Sequence, residues 1–146
     1  MTPREIELVQ DSFAKVVPIA DQAAAMFYAR LFELDPALKA LFQGDMVEQG
    51  KRLMEMIGAA VKGLDDLDSL VPVVQDLGRR HARYGVKSAH YETVGQALLE
   101  TLAKGLGEAF TDEVERAWTT VYGVLSTTMI GAAEDAAAPR SSQAAA

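Results

Sequence analysis

The sequence predicts an all-α domain of about seven helices, and three observations lead to this prediction. Apolar residues recur at three- and four-residue spacing, strand-like alternation of apolar and polar residues is missing, and helix-capping signals separate the segments. The predicted helices are unequal in length and irregularly connected. This pattern favours helices that cross at about 50° over a symmetrical four-helix bundle.

The first three helices are predicted within residues 2–42. The segment Thr2–Glu5 combines a capping threonine, a proline at the first helical position and a glutamate that completes a capping box, so a helix is expected to about Val17. Pro18 begins a second helix, whose apolar positions are Ala24, Phe27, Leu31 and Leu34. Asp35 and Pro36 begin a short third helix that ends near Phe42.

The middle of the chain is predicted to hold two longer helices. Asp45 caps the first of them after the Gly44 turn, and Gly63 ends it. One face of that helix carries Gln49, Leu53, Met56 and Ile57. The acidic segment 64–68 is predicted to be a linker, and Pro72 is predicted to start or kink the helix that carries His81 and ends at Gly85.

Two further helices complete the predicted domain of residues 1–134. One runs from Ser88 to about Leu106, and the last begins at Thr111 and continues through Trp118, Tyr122 and Met129. Residues 135–146 are rich in alanine and serine, so we predict a flexible tail there. A chain of 146 residues is long enough for one well-packed domain, and we expect one.

Charge and composition exclude several classes of function. The net charge of −7 argues against binding to nucleic acid or to an anionic membrane surface. Without cysteine the chain cannot form disulfides, zinc–thiolate sites, iron–sulfur clusters or a covalent haem attachment. Neither a signal peptide nor an apolar stretch of about 18 residues is evident, so the expected location is the cytoplasm.

Only two histidines, His81 and His90, could bind a transition metal or a haem iron through nitrogen, the other candidate ligands being carboxylates. They are nine residues apart, which places them on opposite sides of a continuous helix, and Gly85 interrupts the helix between them. One of them is therefore expected to be the ligand. His90 lies at the start of a helix, where a partly exposed ring with no ligand role is expected.

The neighbours of His81 favour it as the ligand. Leu77 and Tyr84 share its helix face and would shield a buried bond between the metal and the imidazole. Gly78 leaves room for a flat ligand or for a crossing helix. The alternative is that His81 faces solvent with the basic run Arg79, Arg80 and Arg83.

Two polar residues lie in otherwise apolar helix faces. Tyr28 follows Phe27 in the second helix, and Gln49 shares a stripe with Leu53. A buried hydroxyl or amide needs a partner, which is either a protein group or a bound ligand. The alternative is that both side chains point outward or bond to the backbone.

Six groups of residues occur across residues 1–133 in an order and spacing that together are specific. The groups are Phe27-Tyr28 with Leu31-Phe32; Pro36 with Leu41-Phe42; Glu48-Gln49 with Lys51 and Leu53; Leu77 to His81 with Tyr84 to Val86; His90-Tyr91 with Val94-Gly95; and Ala117-Trp118 with Tyr122-Gly123. With these groups the chain resembles the bacterial single-domain globins. It is similar to the haem domain of flavohaemoglobins and to the Hell's Gate type of thermophile globin.

The resemblance implies a globin fold around a non-covalent b-type haem, with His81 as the proximal iron ligand. Phe42 would stack on the porphyrin, and Tyr28 and Gln49 would lie on the distal side. The resemblance implies that the remaining pocket residues are Leu53, Ile57, Val86, Val94, Trp118 and Tyr122. Either Tyr122 or Arg80 would pair with a haem propionate.

The implied function is reversible binding of oxygen, and also of carbon monoxide and nitric oxide. A hydroxyl donor at Tyr28 would stabilise bound oxygen by about 1–3 kcal/mol, which predicts high oxygen affinity. Alternatives are a nitric-oxide dioxygenase served by a separate reductase, a gas sensor and a haem-free helical interaction module. In flavohaemoglobins a tyrosine and a glutamate support the proximal histidine; here Tyr91 matches the tyrosine, but Ala133 occupies the glutamate position. The oligomeric state is left open.

Overall fold

The computed structural model describes residues 1–137, and the regular structure in that range is entirely helical. The six α-helices are α1 (Pro3–Val16), α2 (Ala20–Leu34), α3 (Met46–Gly63), α4 (Leu67–Arg83), α5 (His90–Leu106) and α6 (Asp112–Ala137). Short 3-10 helices occupy Val17–Ile19, Pro36–Leu41 and Gly107–Ala109. The predicted all-α class is confirmed, with a helix number close to the expected seven.

Side-chain caps explain where several helices begin. The backbone N of Glu5 donates to Thr2 Oγ1 at 3.1 Å, and the backbone N of Thr2 donates to Glu5 Oε1 at 2.8 Å, which confirms the capping box of α1. Asp45 accepts from the backbone N of Val47 at 2.8 Å, as predicted for α3. Each cap satisfies backbone donors that the first helical turn leaves unpaired.

Two predicted helix starts differ from the structure, by two residues for α2 and by five for a start of α4 at Pro72. The segment 64–68 is not a linker throughout, because α4 begins at Leu67 and Asp66 caps it by accepting from the backbone N of Ser69 at 3.4 Å. Pro72 therefore lies inside α4 and not at its start. Likewise Pro18 belongs to a 3-10 turn, and α2 begins at Ala20. An aspartate cap upstream determines the start of α4 more strongly than the proline does.

The buried side chains form two clusters. The larger one joins α1, α3, α4, α5 and α6, and its members include Val9, Phe13, Leu64, Leu102 and Val121. The smaller one lies between α2, the 3-10 helix Pro36–Leu41 and α5, and it consists of Phe27, Tyr28, Leu31, Leu38 and Ala97. The second cluster is the one that contains a predicted site residue, Tyr28.

The most extensive helix contact in the described chain is that between α4 and α6. A Cβ at Gly78 of α4 would lie 2.6 Å from Met129 Cα of α6, so the two backbones touch at this point. Of the two predicted uses of Gly78, the crossing helix is therefore the one observed. Because His81 lies three residues later on α4, this contact also fixes its position.

The last helix extends beyond the predicted domain boundary. α6 ends at Ala137, so residues 135–137 of the predicted tail are helical, and residues 138–146 lie outside the described residues. None of the helices in residues 1–137 is both long enough and apolar enough to cross a membrane.

Candidate functional site

The C-terminal end of α4 is fixed by a Schellman motif. The backbone N of Val86 donates to His81 O at 3.0 Å, and the backbone N of Gly85 donates to Ala82 O at 3.1 Å. Gly85 has φ of +97°, a left-handed conformation that favours glycine and confirms its predicted place just past the helix end. The backbone of His81 is thus held by the turn that follows it.

A hydrogen bond within α4 orients the imidazole of His81 and selects its tautomer. Its Nδ1 lies 2.8 Å from Leu77 O, and a carbonyl oxygen can only accept, so Nδ1 carries the hydrogen. Burial lowers the pKa of His81 below its usual 6.5, so the ring is neutral at pH 7. Nε2 therefore keeps its lone pair, and this is the form of histidine that binds a metal.

Tyr84 does not shield His81, which corrects the prediction. Its side chain is 65% exposed, and its ring centroid lies 6.5 Å from that of His81. Tyr84 is the C-cap residue of α4, where the chain begins to leave the helix. Leu77 remains partly buried on the same side of the helix.

Tyr28 and Gln49 bond to each other inside the molecule. Gln49 Nε2 donates to Tyr28 Oη at 3.3 Å, and Tyr28 is 7% exposed, so the alternative that both side chains point outward is wrong. Because Oη accepts in this bond, the hydroxyl hydrogen is left for another acceptor. Burial raises the pKa of Tyr28 above its usual 10, so the phenol stays protonated at neutral pH.

Two further aromatic rings pack against the ring of Tyr28. The Tyr28 ring stacks on Phe32 at 6.0 Å and meets Phe42 edge-on at 5.3 Å between centroids. Leu53 and Val94 pack partly buried against the same cluster. Phe32 was not among the predicted site residues, although its position four residues after Tyr28 on one helix face could have identified it.

The end of α4 meets the aromatic cluster through Leu41. A Cβ at Gly85 would lie 3.3 Å from Leu41 Cδ2, and Leu41 precedes Phe42 and packs on the cluster that contains Tyr28. The turn after His81 and the rings around Tyr28 therefore belong to one region of the fold. Leu41 had no sequence signal as a link between them, because the contact depends on how distant segments pack.

Trp118 is buried in the larger core cluster, and Ile57 packs against it. Trp118 Nε1 donates to Ser12 Oγ at 2.8 Å, which ties α6 to α1. Both residues line a small apolar cavity of about 10 Å³ together with Leu53. Leu53 thus borders both clusters, because it also packs against the smaller one.

Tyr122 and Arg80 differ in the hydrogen-bond donors that they have free for a carboxylate. Tyr122 Oη donates to Tyr91 O at 2.6 Å, so its hydrogen is already used, and its ring lines an open groove of about 650 Å³ between α5 and α6. Arg80 pairs with Asp76 at 3.2 Å on the exposed side of α4 and retains further donors. Of the two predicted propionate partners, Arg80 is the one with free hydrogen-bonding capacity.

The other two residues near the turn have structural contacts. The backbone of Val86 completes the Schellman motif, and its side chain is partly buried. His90 Nδ1 accepts from the backbone N of Lys87 at 2.9 Å, so this ring supports the turn before α5.

The donor set fits a haem. Within residues 1–137 no group of three His, Asp or Glu side chains could hold a metal ion, so a protein-only metal site is not formed there. A porphyrin brings four nitrogens of its own and needs one histidine nitrogen, which Nε2 of His81 can supply. The rings and aliphatic side chains near Tyr28 suit a flat apolar group, and the protonated phenol suits a small polar ligand.

Comparisons with known proteins agree with one another. The family model described as Globin matches residues 25–129. The neuroglobin of Danio rerio is 33% identical over an alignment of 143 positions, and the match covers 88% of this chain and 90% of that protein. The flavohemoprotein of Bacillus subtilis is 30% identical over an alignment of 135 positions, and the match covers 90% of this chain but only 34% of that protein.

Solved structures show the same fold at lower identity. An engineered carbene transferase from Rhodothermus marinus, described as a "putative nitric oxide dioxygenase", matches with a TM-score of 0.83 and 23% identity over 93% of this chain and 95% of that one. A hexacoordinated heme protein from an anhydrobiotic tardigrade matches with a TM-score of 0.83 and 19% identity over 92% of this chain and 96% of that one.

Proposed function

This chain belongs to the globin family, and from that premise we propose that it binds oxygen reversibly and tightly at a b-type haem held by His81. Membership in this family implies that the chain binds small gases at a haem. The proposal adds the type of haem, the ligand residue and the high affinity for oxygen. The observation that most supports high oxygen affinity is the Tyr28 hydroxyl, which accepts a hydrogen bond from Gln49 and keeps its own hydrogen for a ligand.

The proximal side of the proposed site is the end of α4. Haem, when bound, supplies a ferrous iron that takes up oxygen, carbon monoxide or nitric oxide. His81 offers the Nε2 lone pair, and the bond from Nδ1 to Leu77 O orients the ring and makes Nε2 more basic. Arg80 can turn from Asp76 to a propionate, because both side chains are exposed and such pairs exchange at little cost.

The distal side is the aromatic region around Tyr28. The Tyr28 hydroxyl would donate to a bound ligand that carries partial negative charge, such as oxygen, and would stabilise it by about 1–3 kcal/mol. This energy slows oxygen release by about tenfold to a hundredfold. The raised pKa of Tyr28 keeps the donor protonated, and Gln49 orients the hydroxyl. Carbon monoxide, being less polar when bound, gains less.

Tyr28→Phe is expected to accelerate oxygen dissociation by about tenfold to a hundredfold, because phenylalanine keeps the ring packing and removes only the hydroxyl. Stopped-flow displacement of oxygen by carbon monoxide measures this rate. Tyr84→Phe removes the same group from an exposed ring and serves as the matched control, with no change expected. An unchanged rate in Tyr28→Phe would show that Gln49 or water makes the bond instead.

A second candidate function is nitric-oxide dioxygenation, supported by the likeness to a structure carrying that description. The balanced reaction joins one nitric oxide, one oxygen molecule and one electron to give nitrate, so it needs an external reductase. The proximal support is weaker than the family pattern, because Glu134 is exposed and Ala133 has no carboxylate.

Sustained turnover separates the two functions. With a flavin reductase and NADH present, the oxygen-binding proposal predicts one rapid consumption of nitric oxide per haem and slow consumption thereafter. Continued conversion of nitric oxide to nitrate over many cycles would favour the dioxygenase. A nitric-oxide electrode together with nitrate analysis measures both phases.

A further inference from the structure

A run of positive charge follows the centre of α4 in an otherwise acidic chain. Residues 79–87 contain four cations and no acidic residue, whereas the net charge of the whole chain is −7. We call Arg79, Arg80 and Arg83 of α4, together with Lys87 of the turn that follows the helix, the basic face of α4. Oxygen binding gives this face no role beyond one propionate contact.

Helical geometry makes the arginines a continuous surface. At about 100° per residue, Arg79, Arg83 and Arg80 follow one another around α4, and Tyr84 comes next, adjacent to the side that bears His81. Gly78, which packs against α6, lies on the opposite side of the helix. The basic face is therefore directed away from the core, with Tyr84 between it and His81.

The basic face is accessible and only partly paired. Arg80 pairs with Asp76, but among residues 1–137 the other three cations form no ion pair. Arg83 and Lys87 are exposed, and so is 65% of Tyr84. The helix dipole favours cations in the last turn of α4, but it explains neither Lys87, which lies beyond the helix, nor an exposed aromatic ring. Arginine and tyrosine together are typical of protein-binding surfaces.

We propose that the basic face of α4 docks the acidic surface of a one-electron donor protein. The proposal rests on the proposed function, because the electron is needed to return haem iron from ferric to ferrous. One electron leaves the donor, which is oxidised, and enters the iron, which is reduced; no bond forms or breaks and no proton moves.

The position of the face favours this partner over a polyanion. Tyr84 lies 6.5 Å from the His81 ring between centroids, so a protein bound at the face approaches the proximal ligand closely. Nucleic acid or an anionic membrane gains nothing from that proximity. Both also extend beyond four cations and would contact more of a chain whose net charge is −7, whereas a compact acidic protein matches a small patch.

The test compares two double variants of the haem-loaded protein. Arg83→Glu/Lys87→Glu reverses two exposed cations of the basic face and leaves Arg80 in place. Lys15→Glu/Lys62→Glu makes the same change of charge at exposed positions in the last turns of α1 and α3, and it is the matched control. The probe is an acidic [2Fe–2S] ferredoxin, and photoreduced riboflavin, a small reductant that carries at most a single charge, provides the reference.

Two readouts are measured at low and high ionic strength. Titration with oxidised ferredoxin, followed by NMR, gives binding, and stopped flow with reduced ferredoxin gives the rate of iron reduction. At low salt we expect the basic-face variant to lose about tenfold or more in both, with the control variant close to wild type. Reduction by riboflavin is expected to be equal in all three proteins, and high salt is expected to remove the difference with ferredoxin.

Three results would overturn the docking proposal. The first is that all three proteins bind ferredoxin equally, and the second is that both double variants lose ferredoxin binding equally. The third is that DNA or anionic vesicles bind through the basic face, while the substitutions leave ferredoxin binding unchanged. A wild-type protein that takes up no haem would overturn the proposed function and this proposal together. A protein that binds haem and oxygen but neither binds ferredoxin nor is reduced by it would overturn the docking proposal alone.

Discussion

His81→Gly is expected to abolish stable haem binding. The change removes the one histidine nitrogen that the site offers, and loss of even an outer-shell partner of a metal ligand costs about tenfold to a hundredfold in affinity. We therefore expect haem affinity to fall by at least about a hundredfold, or roughly 3 kcal/mol. Haem transfer to a high-affinity acceptor protein measures the loss.

Added imidazole gives the His81 prediction a positive control. The small ring can enter the space that the side chain leaves and restore a histidine-like spectrum, although this imidazole is not attached to the protein. Ala82→Gly introduces the same glycine one residue later on an exposed position of α4, at a similar helix cost of about 1 kcal/mol. If His81→Gly kept an unchanged histidine-ligated spectrum without imidazole, the assignment of the ligand would be wrong.

Gly78→Ala is expected to destabilise the protein although alanine favours helices. The added methyl group would meet the backbone of Met129, which cannot rotate away, so α4 and α6 must separate. Overpacking of this kind costs up to about 3 kcal/mol, against a helix-propensity gain of about 1 kcal/mol. Thermal unfolding should therefore show a net loss of roughly 2 kcal/mol, and haem should dissociate faster because His81 is displaced with α4.

Gly131→Ala is the matched control for Gly78→Ala. Gly131 lies in α6, two residues from Met129, and a Cβ there meets nothing within 4 Å. This variant is expected to be neutral or more stable by up to about 1 kcal/mol. Equal stability of Gly78→Ala and Gly131→Ala would contradict the close packing of α4 on α6.

Local sequence signals predicted the elements better than their contacts. The capping box at Thr2, the cap at Asp45 and the left-handed Gly85 follow from short-range chemistry, and the structure has all three. The start of α4 was misplaced because residues 64–68 were assigned to an acidic linker, whereas Asp66 within that segment caps the helix. Hydrophobic periodicity alone does not show whether an aspartate or a later proline marks the start of a helix.

Residue contacts across the fold were harder to predict. Burial of Tyr28 and Gln49 with a polar partner was one of two alternatives, and only packing of α2 on α3 shows that they bond to each other. Tyr84 shares a helix face with His81 in the sequence, yet the helix ends there and the ring turns to solvent. Trp118 bonds to Ser12 on α1, a residue more than 100 positions away in the chain.

Titration of the purified wild-type chain with haem, followed by absorption spectroscopy, measures whether the chain binds haem through a histidine. We expect saturation at one haem per chain, a histidine-ligated ferrous spectrum that changes on adding oxygen or carbon monoxide, and complete extraction of the haem by acidified solvent, since the chain has no cysteine for a covalent bond. A spectrum indistinguishable from free haem, with no saturation point, would contradict this expectation.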